Sequence, residues 1–150
     1  MEIAILALGC FWGPEIKFNK LNGVIKTEVG YCGGNKASVS YEEVCTGKTN
    51  HAEVVKIEFD SSKISYEDIL NYFFKIHDPT TLNKQGPDIG TQYRSEIFYC
   101  NNSQKEIAEK ILNKINQKLN GKVVTKISKE KNYCKAEEYH QKYLKKKGVL

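Results

Sequence analysis

The sequence predicts an α+β fold in which helices cover a mixed β-sheet and form a two-layer sandwich. Three observations favour this class. Short apolar or alternating segments, typical of strands, recur between segments with helical periodicity. Their order is roughly β-α-β-β-α-β-α-β-α. The chain has 150 residues, 40% of them hydrophobic and 27% charged, with no internal repeat or linker. We therefore expect one domain over residues 1–150 with its own core.

The first third of the chain contains two predicted strands on either side of a short helix. Pro14 is favoured in the first turn of a helix and Gly23 just beyond the last turn, so these two residues mark the helix ends. The predicted bounds are a strand at 2–8, a helix at about 14–22, a strand at 24–31 and a Gly-rich turn at 32–35.

The middle of the chain contains two predicted helix starts. Ser40 and Glu43 have the spacing of a capping box and predict a one-turn helix. Residues 52–60 alternate between apolar and polar side chains, which predicts a strand. Ser65 can cap a helix that ends before the loop at 79–92. This loop contains two prolines and two glycines, and a loop of this length in a compact domain is typically functional or mobile.

The last third contains the longest predicted helix, which starts at Ser103 with Glu106 three residues later and ends at Gly121. Strands precede and follow this helix, and another helix closes the chain. Their predicted bounds are a strand at 95–100, a strand at 123–127 and a final helix at 137–147. With all elements in order, the topology is closest to a ferredoxin-like plait.

Composition argues against several classes of protein. No segment reaches the roughly 18 apolar residues that span a bilayer, and the N-terminus lacks the features of a secretory signal. We therefore expect a cytoplasmic protein that does not contact a membrane. The five cysteines are odd in number and form no C-x-x-C pair, so neither a disulfide framework nor a tetrahedral zinc site is predicted.

The net charge of +5 has two interpretations. A basic protein can bind nucleic acid, but Arg94 is the only arginine, and arginine is the usual residue for contacts with bases and phosphates. Solvated lysines in a Lys-rich composition are the simpler interpretation, and we favour it. We expect no nucleic-acid partner.

Cys10 is the strongest candidate for a reactive residue. It follows a predicted strand and precedes a predicted helix, whose free N–H groups and positive dipole end favour a thiolate over a thiol. Phe11 and Trp12 come next, and two large rings on a turn either pack into the core or line a pocket. A structural cysteine buried at a strand end is equally compatible with this spacing.

Glu53 begins the strand over 52–60, where alternation places it on the same face as Val55 and Ile57. A buried carboxyl without a cation is shifted toward its neutral form, and a neutral carboxyl can act as a general acid. An exposed carboxylate at a strand end fits the sequence equally well. His51 is more typical of a loop or a supporting position than of a base.

The segment 85–95 combines a flexible loop with an acid, a phenol and the only arginine, namely Asp88, Tyr93 and Arg94. Tyr41 and Tyr93 are candidate hydrogen-bond donors, although nine tyrosines in the chain are also compatible with packing alone. The pattern G-x-G-x-x-G is absent, so no phosphate cradle is predicted.

Eight motifs follow one another along the chain. They are GCFWGPE at 9–15, GYCGG at 30–34, YEEVCTG at 41–47, HAEVV at 51–55, ISYE at 64–67, HDPT at 77–80, NKQGPDIGTQYRS at 83–95 and AEEYHQ at 136–141. In their order and spacing over residues 3–144, the chain resembles the peptide methionine sulfoxide reductase A family from end to end.

The resemblance implies reduction of the S-epimer of methionine sulfoxide, free or in proteins, without a metal or an organic cofactor. It matches the family's nucleophile to Cys10, its aromatic wall for the substrate methyl group to Phe11 and Trp12, and its acid to Glu53. The supporting donors that it implies are Tyr41, Tyr93 and, through water, Asp88.

This assignment agrees with the chemistry of sulfoxides. A thiolate at Cys10 attacks the sulfoxide sulfur, and the oxygen is a poor leaving group unless it is protonated. A neutral Glu53 can supply that proton, and apolar rings beside it favour a methyl group and exclude water. Methionine leaves, and Cys10 becomes a sulfenic acid that a thiol must reduce.

How the sulfenic acid is reduced is left open by the sequence. Many family members have one or two resolving cysteines in a Gly-rich C-terminal tail, and this chain ends at Leu150 without such a tail. Cys32 and Cys134 are the candidates for an internal resolving cysteine. The alternative is direct reduction by thioredoxin, glutaredoxin or a small thiol. Nothing indicates an obligate oligomer, and we expect a monomer.

Two functions of other classes compete with this one. A cysteine hydrolase would pair Cys10 with a histidine base, for which His51, His77 and His140 are available. A basic plait domain could instead bind RNA, but the aromatic-rich strand motif of that class is missing. We regard both as far less compatible with the motifs than the reductase.

Overall fold

The structure is a computed structural model that describes residues 1–148. It has a six-stranded sheet, a small two-stranded hairpin and five helices among these residues. The strands are β1 (Glu2–Leu8), β2 (Val24–Cys32), β3 (Ala52–Phe59), β4 (Lys84–Gln85), β5 (Asp88–Ile89), β6 (Ser95–Tyr99), β7 (Lys126–Lys129) and β8 (Cys134–Lys135). The helices are α1 (Trp12–Asn19), α2 (Tyr41–Cys45), α3 (Tyr66–Lys75), α4 (Asn102–Lys118) and α5 (Tyr143–Lys146).

The strand order in the large sheet is β7-β6-β1-β3-β2-β8. Strands β6 and β7 run parallel and the other neighbours run antiparallel, so the sheet is mixed. The four central strands, β6-β1-β3-β2, have the order and connections of a ferredoxin-like plait, with α1 and α3 as the two crossover helices. The predicted α+β class and the mixed two-layer sheet are confirmed.

The main core lies between the helices and one face of the sheet. Phe18 of α1, Phe73 of α3 and Ile111 of α4 are fully buried there, against Leu6 and Ile57 of the central strands. A smaller apolar cluster covers the opposite face. Its members are Ile5, Ala7, Cys32, Ala52, Val54 and Phe98, with Tyr133 packed over them. Glu53 of β3, which shares the helix-covered face with Val55 and Ile57, therefore lies among buried apolar side chains.

Helix ends follow the local capping signals. Ser40 and Ser65 each accept a hydrogen bond from the N–H three residues later, so both predicted N-caps are confirmed. The predicted cap at Ser103 is wrong. Asn101 caps α4 instead, because its side chain accepts from Gln104 N at 2.9 Å, and the helix begins at Asn102.

Two other elements, the first helix and the strand predicted at 123–127, also differ from the prediction in their bounds. Helix α1 begins at Trp12 and ends at Asn19, not at the predicted bounds of 14 and 22. The strand predicted over 123–127 begins only at Lys126, because Val124 N donates to Pro79 O and ties the preceding residues to the long loop. That loop is itself partly regular: it contains the β4–β5 hairpin and a 3₁₀ turn at Thr91–Tyr93.

The predicted final helix over 137–147 is wrong. The chain forms a 3₁₀ turn at Glu138–His140, an extended residue at Gln141, a left-handed residue at Lys142 and then the short helix α5. Gln141 bonds to both Val29 N and Val29 O, at 2.9 Å each, and Glu15 accepts from Lys142 N at 2.7 Å. These bonds to the sheet edge and to α1 replace the hydrogen bonds of a continuous helix. The end of the sequence, at 149–150, lies outside the described residues.

Because Gln141 joins the C-terminal segment to β2, we expect Gln141→Ala to lower the free energy of unfolding by about 2 kcal/mol, since Val29 N–H loses its buried partner. Gln117→Ala is the matched control: Gln117 is exposed on α4, and its replacement should change stability by less than about 0.5 kcal/mol. Urea unfolding of both variants measures the difference. Equal effects would show that the Gln141 bonds add nothing.

Candidate active site

Cys10 lies between the end of β1 and the start of α1, where the chain turns sharply. Gly9 makes the turn possible: its φ is +97°, and a side chain there would lie 2.7 Å from Gln85 Cγ. Gln85 belongs to the β4–β5 hairpin. Its side-chain amide accepts from Asp78 N through Oε1 and donates to Asp78 O through Nε2. The hairpin is thereby packed against the Cys10 turn.

Glu53 is the second predicted site residue, and it is buried. It lies on β3 opposite Tyr31 of β2 and is only 1% exposed. Its Oε1 accepts a hydrogen bond from Phe11 N at 3.3 Å, which joins it to the residue after Cys10. The alternative of an exposed carboxylate at a strand end is therefore wrong. Val55 and Ile57 share its face and are fully buried, as alternation predicts.

Burial gives Glu53 an unusual protonation state. It raises the pKa of the carboxyl from 4.5 to about 8, since the charged form cannot be solvated there. The Phe11 N–H opposes this shift and the Asp88 carboxylate adds to it. Glu53 is therefore mostly neutral at pH 7, as a proton donor must be.

Cys10 is half-buried, and its protonation state differs from the sequence-based expectation. Burial raises the pKa of the thiol from 9.0 to about 11. The backbone N–H of Trp12 at the start of α1 lowers it, as predicted from the helix end, but the Glu53 and Asp88 carboxyl groups raise it further. Desolvation outweighs the helix terminus, so Cys10 is a thiol at neutral pH.

Tyr41 and Tyr93 come from different parts of the chain, and both lie near Glu53 and Cys45. Burial raises the pKa of Tyr93 to about 12, and Glu53, Asp88 and Cys10 add to the shift. The pKa of Tyr41 is also raised, first by burial and then by a hydrogen bond with Cys45. Both phenols keep their protons over the physiological range and can donate hydrogen bonds.

Two charged groups, Glu137 and the buried Arg94, fix the backbone beside these tyrosines. Glu137 accepts from Tyr41 N and from Tyr31 OH, each at 2.8 Å. Arg94 follows Tyr93 directly and is bound on three sides: Nε donates to Glu96 at 2.6 Å, Nη1 to Thr91 O, and Nη2 to Asn50 O. The only arginine thus stabilises the turn that contains Tyr93.

Phe11 and Trp12 form an aromatic group with the C-terminal segment. Phe11 is buried, with its ring centroid 5.7 Å from that of Tyr31. Trp12 is half-buried and stacks on Tyr143 at a centroid distance of 3.8 Å and an angle of 12°. Its indole Nε1 donates to His140 Nδ1 at 3.1 Å. Trp12 therefore presents more surface to solvent than Phe11 does.

Neither candidate resolving cysteine forms a disulfide with Cys10 in this conformation. Cys32 is fully buried in the small cluster on the sheet face opposite Glu53, and its thiol donates to Lys131 O at 3.4 Å. Cys134 pairs with Tyr31 on β2, and Tyr31 in turn pairs with Glu53. Because paired residues on neighbouring strands share a face, Cys134 lies on the same face of the sheet as Glu53, with Tyr31 of β2 between the two.

The histidines bond to groups other than Cys10. His51 Nε2 lies 3.3 Å from Asn132 O, and His77 bonds to Phe73 O and Ser95 Oγ. His140 accepts from Trp12. Among residues 1–148, no histidine contributes to the pKa shift of Cys10. This geometry argues against the cysteine–histidine pair of a hydrolase.

Sequence reasoning missed the residues that support the site from the C-terminal segment. They are Glu137, His140, Gln141 and Tyr143. Glu15 of α1 holds the same segment by accepting from Lys142 N. Their signal in the sequence is the run AEEYHQ at 136–141, which places four polar residues around an aromatic one. Helical periodicity over 137–147 predicts a continuous helix, whereas Gln141 of this polar cluster bonds to the sheet and Glu137 bonds to Tyr41 N.

Comparison with known proteins decides the family. A family model described as peptide methionine sulfoxide reductase matches residues 2–149. The chain belongs to this family. A member from Pelagibacter ubique, named MsrA, is 72% identical over 147 residues, which are 98% of this chain and 100% of that protein. The MsrA of Methanococcus maripaludis is 51% identical, over 98% and 94% of the two chains.

Solved structures of peptide methionine sulfoxide reductases have the same fold. Reduced Mxr1 from Saccharomyces cerevisiae matches with a TM-score of 0.94 and 40% identity, over 98% of this chain and 86% of that one. Methionine sulfoxide reductase A of Corynebacterium diphtheriae matches with a TM-score of 0.85 and 32% identity, over 99% and 76%. The predicted membership of the family is confirmed. No helix within residues 1–148 has the length and apolar character to cross a membrane.

The raised pKa of Glu53 makes stability depend on pH. The folded protein retains a proton that the unfolded chain releases between pH 4.5 and about 8, so the free energy of unfolding falls as pH rises through this window. Glu53→Gln keeps the size and removes the ionisation. We expect the variant to match the wild type near about pH 5 and to exceed its stability by a few kcal/mol near about pH 8.

Denaturant unfolding of both proteins at the two pH values measures this effect. The difference between the proteins isolates Glu53, because all other titrating groups are shared. A difference that stays constant with pH would show that Glu53 has an ordinary pKa.

Proposed function

We propose that this protein reduces the S-epimer of methionine sulfoxide, free or peptide-bound, to methionine, and so repairs oxidised proteins. Membership of the family supports the reaction. The observation that supports the mechanism best is the buried carboxyl of Glu53, which is bonded to the residue after Cys10 and is neutral at pH 7. A thiol beside a neutral acid suits removal of oxygen from a sulfoxide without a metal or an organic cofactor.

In this mechanism Cys10 attacks the sulfoxide sulfur while Glu53 protonates the sulfoxide oxygen. Burial favours the protonated form of both groups, so Cys10 becomes a thiolate only as it attacks, and its proton restores the Glu53 carboxyl. Two electrons pass to the substrate sulfur, which leaves as the thioether of methionine. The oxygen and one proton end on Cys10 as a sulfenic acid.

Tyr41 and Tyr93 stabilise the charge that develops on the oxygen. Their raised pKa values keep them as donors throughout the reaction, and neither competes with Glu53 as the acid. Asp88 contacts the substrate oxygen through water. Its carboxylate also raises the pKa of Glu53 and so favours the neutral form, which can donate a proton.

The aromatic residues bind the methyl group of the substrate. Trp12 supplies a half-buried ring and Phe11 a buried one, and both rings pack against His140. An apolar wall excludes water, which would weaken the hydrogen bonds to the sulfoxide oxygen. The same wall selects a sulfoxide with a small apolar substituent, as methionine has.

The sulfenic acid on Cys10 is reduced by an external thiol. The position of Cys32 favours this route over an internal disulfide, because Cys32 is buried on the opposite face of the sheet. Cys134 lies on the edge strand β8, and Tyr31 of β2 stands between it and Glu53. The yeast relative Mxr1 has been solved in complex with Trx2, so a thioredoxin is the first reductant that we propose, with glutaredoxin or a small thiol as alternatives. We further propose a single catalytic domain that acts as a monomer in the cytoplasm.

A single turnover tests the function and the recycling route together. Fully reduced protein, freed of reductant, is mixed with the S-epimer of methionine sulfoxide, and methionine formed and thiols lost are counted. We expect one methionine per chain and loss of one of the five thiols. Cys10→Ser should form no methionine and lose no thiol, and Cys134→Ser should behave as the wild type.

Other outcomes contradict the proposal at separate points. Loss of two thiols per methionine means an internal disulfide, and peptide mapping then identifies the partner of Cys10. Methionine formation by Cys10→Ser would reject Cys10 as the nucleophile. No methionine from the wild type would reject the reductase function.

A further inference from the structure

His140 occupies a position that the reaction described above does not use. It is 2% exposed and lies among aromatic rings, with ring centroids 4.7 Å from Tyr41, 5.2 Å from Phe11 and 4.2 Å from Tyr139. A phenylalanine would fill such a space equally well. The polar atoms of the imidazole therefore need a separate explanation.

One of these atoms has a defined partner. An indole N–H can only donate, so His140 Nδ1, at 3.1 Å from Trp12 Nε1, must present a lone pair. The neutral ring then has its proton on Nε2. That atom is buried and has no hydrogen-bond partner among the described residues. A buried polar atom without a partner lowers stability, so Nε2 is a cost of having histidine at this position. The hydrogen bond that Nδ1 accepts from Trp12 is what histidine offers here and phenylalanine does not.

The bond to His140 Nδ1 prevents a rotation of the Trp12 indole that stacking alone allows. Tyr143 stacks on the face of the Trp12 indole and sets the plane of the ring, but a half-turn about Cβ–Cγ keeps that plane and points the N–H the opposite way. A hydrogen bond at the edge of the ring removes this rotation. Trp12 is only half-buried, so without the bond its N–H could turn toward water.

We propose that His140 is a positioning residue for the substrate site: its Nδ1 accepts the Trp12 indole N–H and so fixes the aromatic wall against which the methyl group of methionine sulfoxide packs. The part concerning substrate rests on the function proposed above. His140 itself touches no reacting atom and transfers no proton. Its loss therefore weakens binding of the substrate more than it slows the chemical step.

Three substitutions separate the acceptor from the shape of the ring. His140→Phe keeps an aromatic ring and removes the acceptor. His140→Asn places an amide oxygen near the position of Nδ1, and His140→Gln places it one carbon further out. Tyr139→Phe is the control, because Tyr139 also contacts the His140 ring but is largely exposed. Circular dichroism verifies that each variant is folded.

The first measurement is the indole N–H signal in the NMR spectrum of 15N-labelled protein. The chain has one tryptophan, so this signal is unique. We expect it to exchange slowly with solvent in the wild type, in Tyr139→Phe and in His140→Asn. It should exchange quickly in His140→Phe and His140→Gln. The Asn and Gln variants decide the matter even where the Phe variant does not fold.

The second measurement is steady-state kinetics with the S-epimer of methionine sulfoxide. Loss of one neutral hydrogen bond corresponds to a rise in KM of about tenfold for His140→Phe, with kcat and the pH dependence of the rate unchanged. His140→Asn should restore most of the KM. A fall in kcat with an altered pH profile would overturn the proposal, since it would mean that His140 transfers protons.

Unchanged indole exchange and KM in His140→Phe would also overturn the proposal, as would failure of a folded His140→Asn to restore either. The two measurements distinguish this inference from the proposed function. A wild-type protein that does not reduce the sulfoxide rejects the function, while indole exchange still decides whether His140 fixes Trp12.

Discussion

The carboxyl of Glu53 is buried in the interior of the sheet, and among residues 1–148 no cation contributes to its pKa shift. The other features of the site depend on this constraint. A strand covered on both faces places the carboxyl where water cannot solvate a charge, so the neutral form is stable to about pH 8. The Phe11 N–H aims the same carboxyl at the Cys10 turn. The fold thus keeps a protonated carboxyl beside the Cys10 thiol, and reduction of a sulfoxide requires both a proton donor and a nucleophile.

The site also requires that both ends of the chain meet. The wall residue Trp12 comes from the start of the first helix, whereas the two rings that fix it, His140 and Tyr143, come from the C-terminal segment. That segment is not a regular helix, and polar bonds to the sheet and to α1 give it its shape. Glu137 extends the same set of bonds to Tyr41. Loss of these bonds would therefore disturb both Trp12 and Tyr41, although neither residue belongs to the C-terminal segment.

The features that could be predicted from the sequence have local causes. Ser40 and Ser65 cap helices because their partners lie three residues away. The alternation over 52–60 correctly places Glu53 on the face of Val55 and Ile57, and the structure decides that this position is buried. The features that were missed depend on distant residues. The segment at 137–147 has helical periodicity but is bonded to Val29 and Glu15, more than a hundred positions earlier. Likewise, the helix end beside Cys10 predicts a lowered pKa, and only the packed structure shows that burial outweighs it.

The most direct test of this account is the single-turnover rate of methionine formation as a function of pH, for the wild type and for Glu53→Gln. If neutral Glu53 protonates the sulfoxide oxygen, the wild-type rate is constant at low pH and falls as the pH rises through about 8. The glutamine variant has no proton to give, so its rate should be lower by about a hundredfold and lack that fall. A glutamine variant with the rate and pH dependence of the wild type would contradict the account, because the proton would then come from another group.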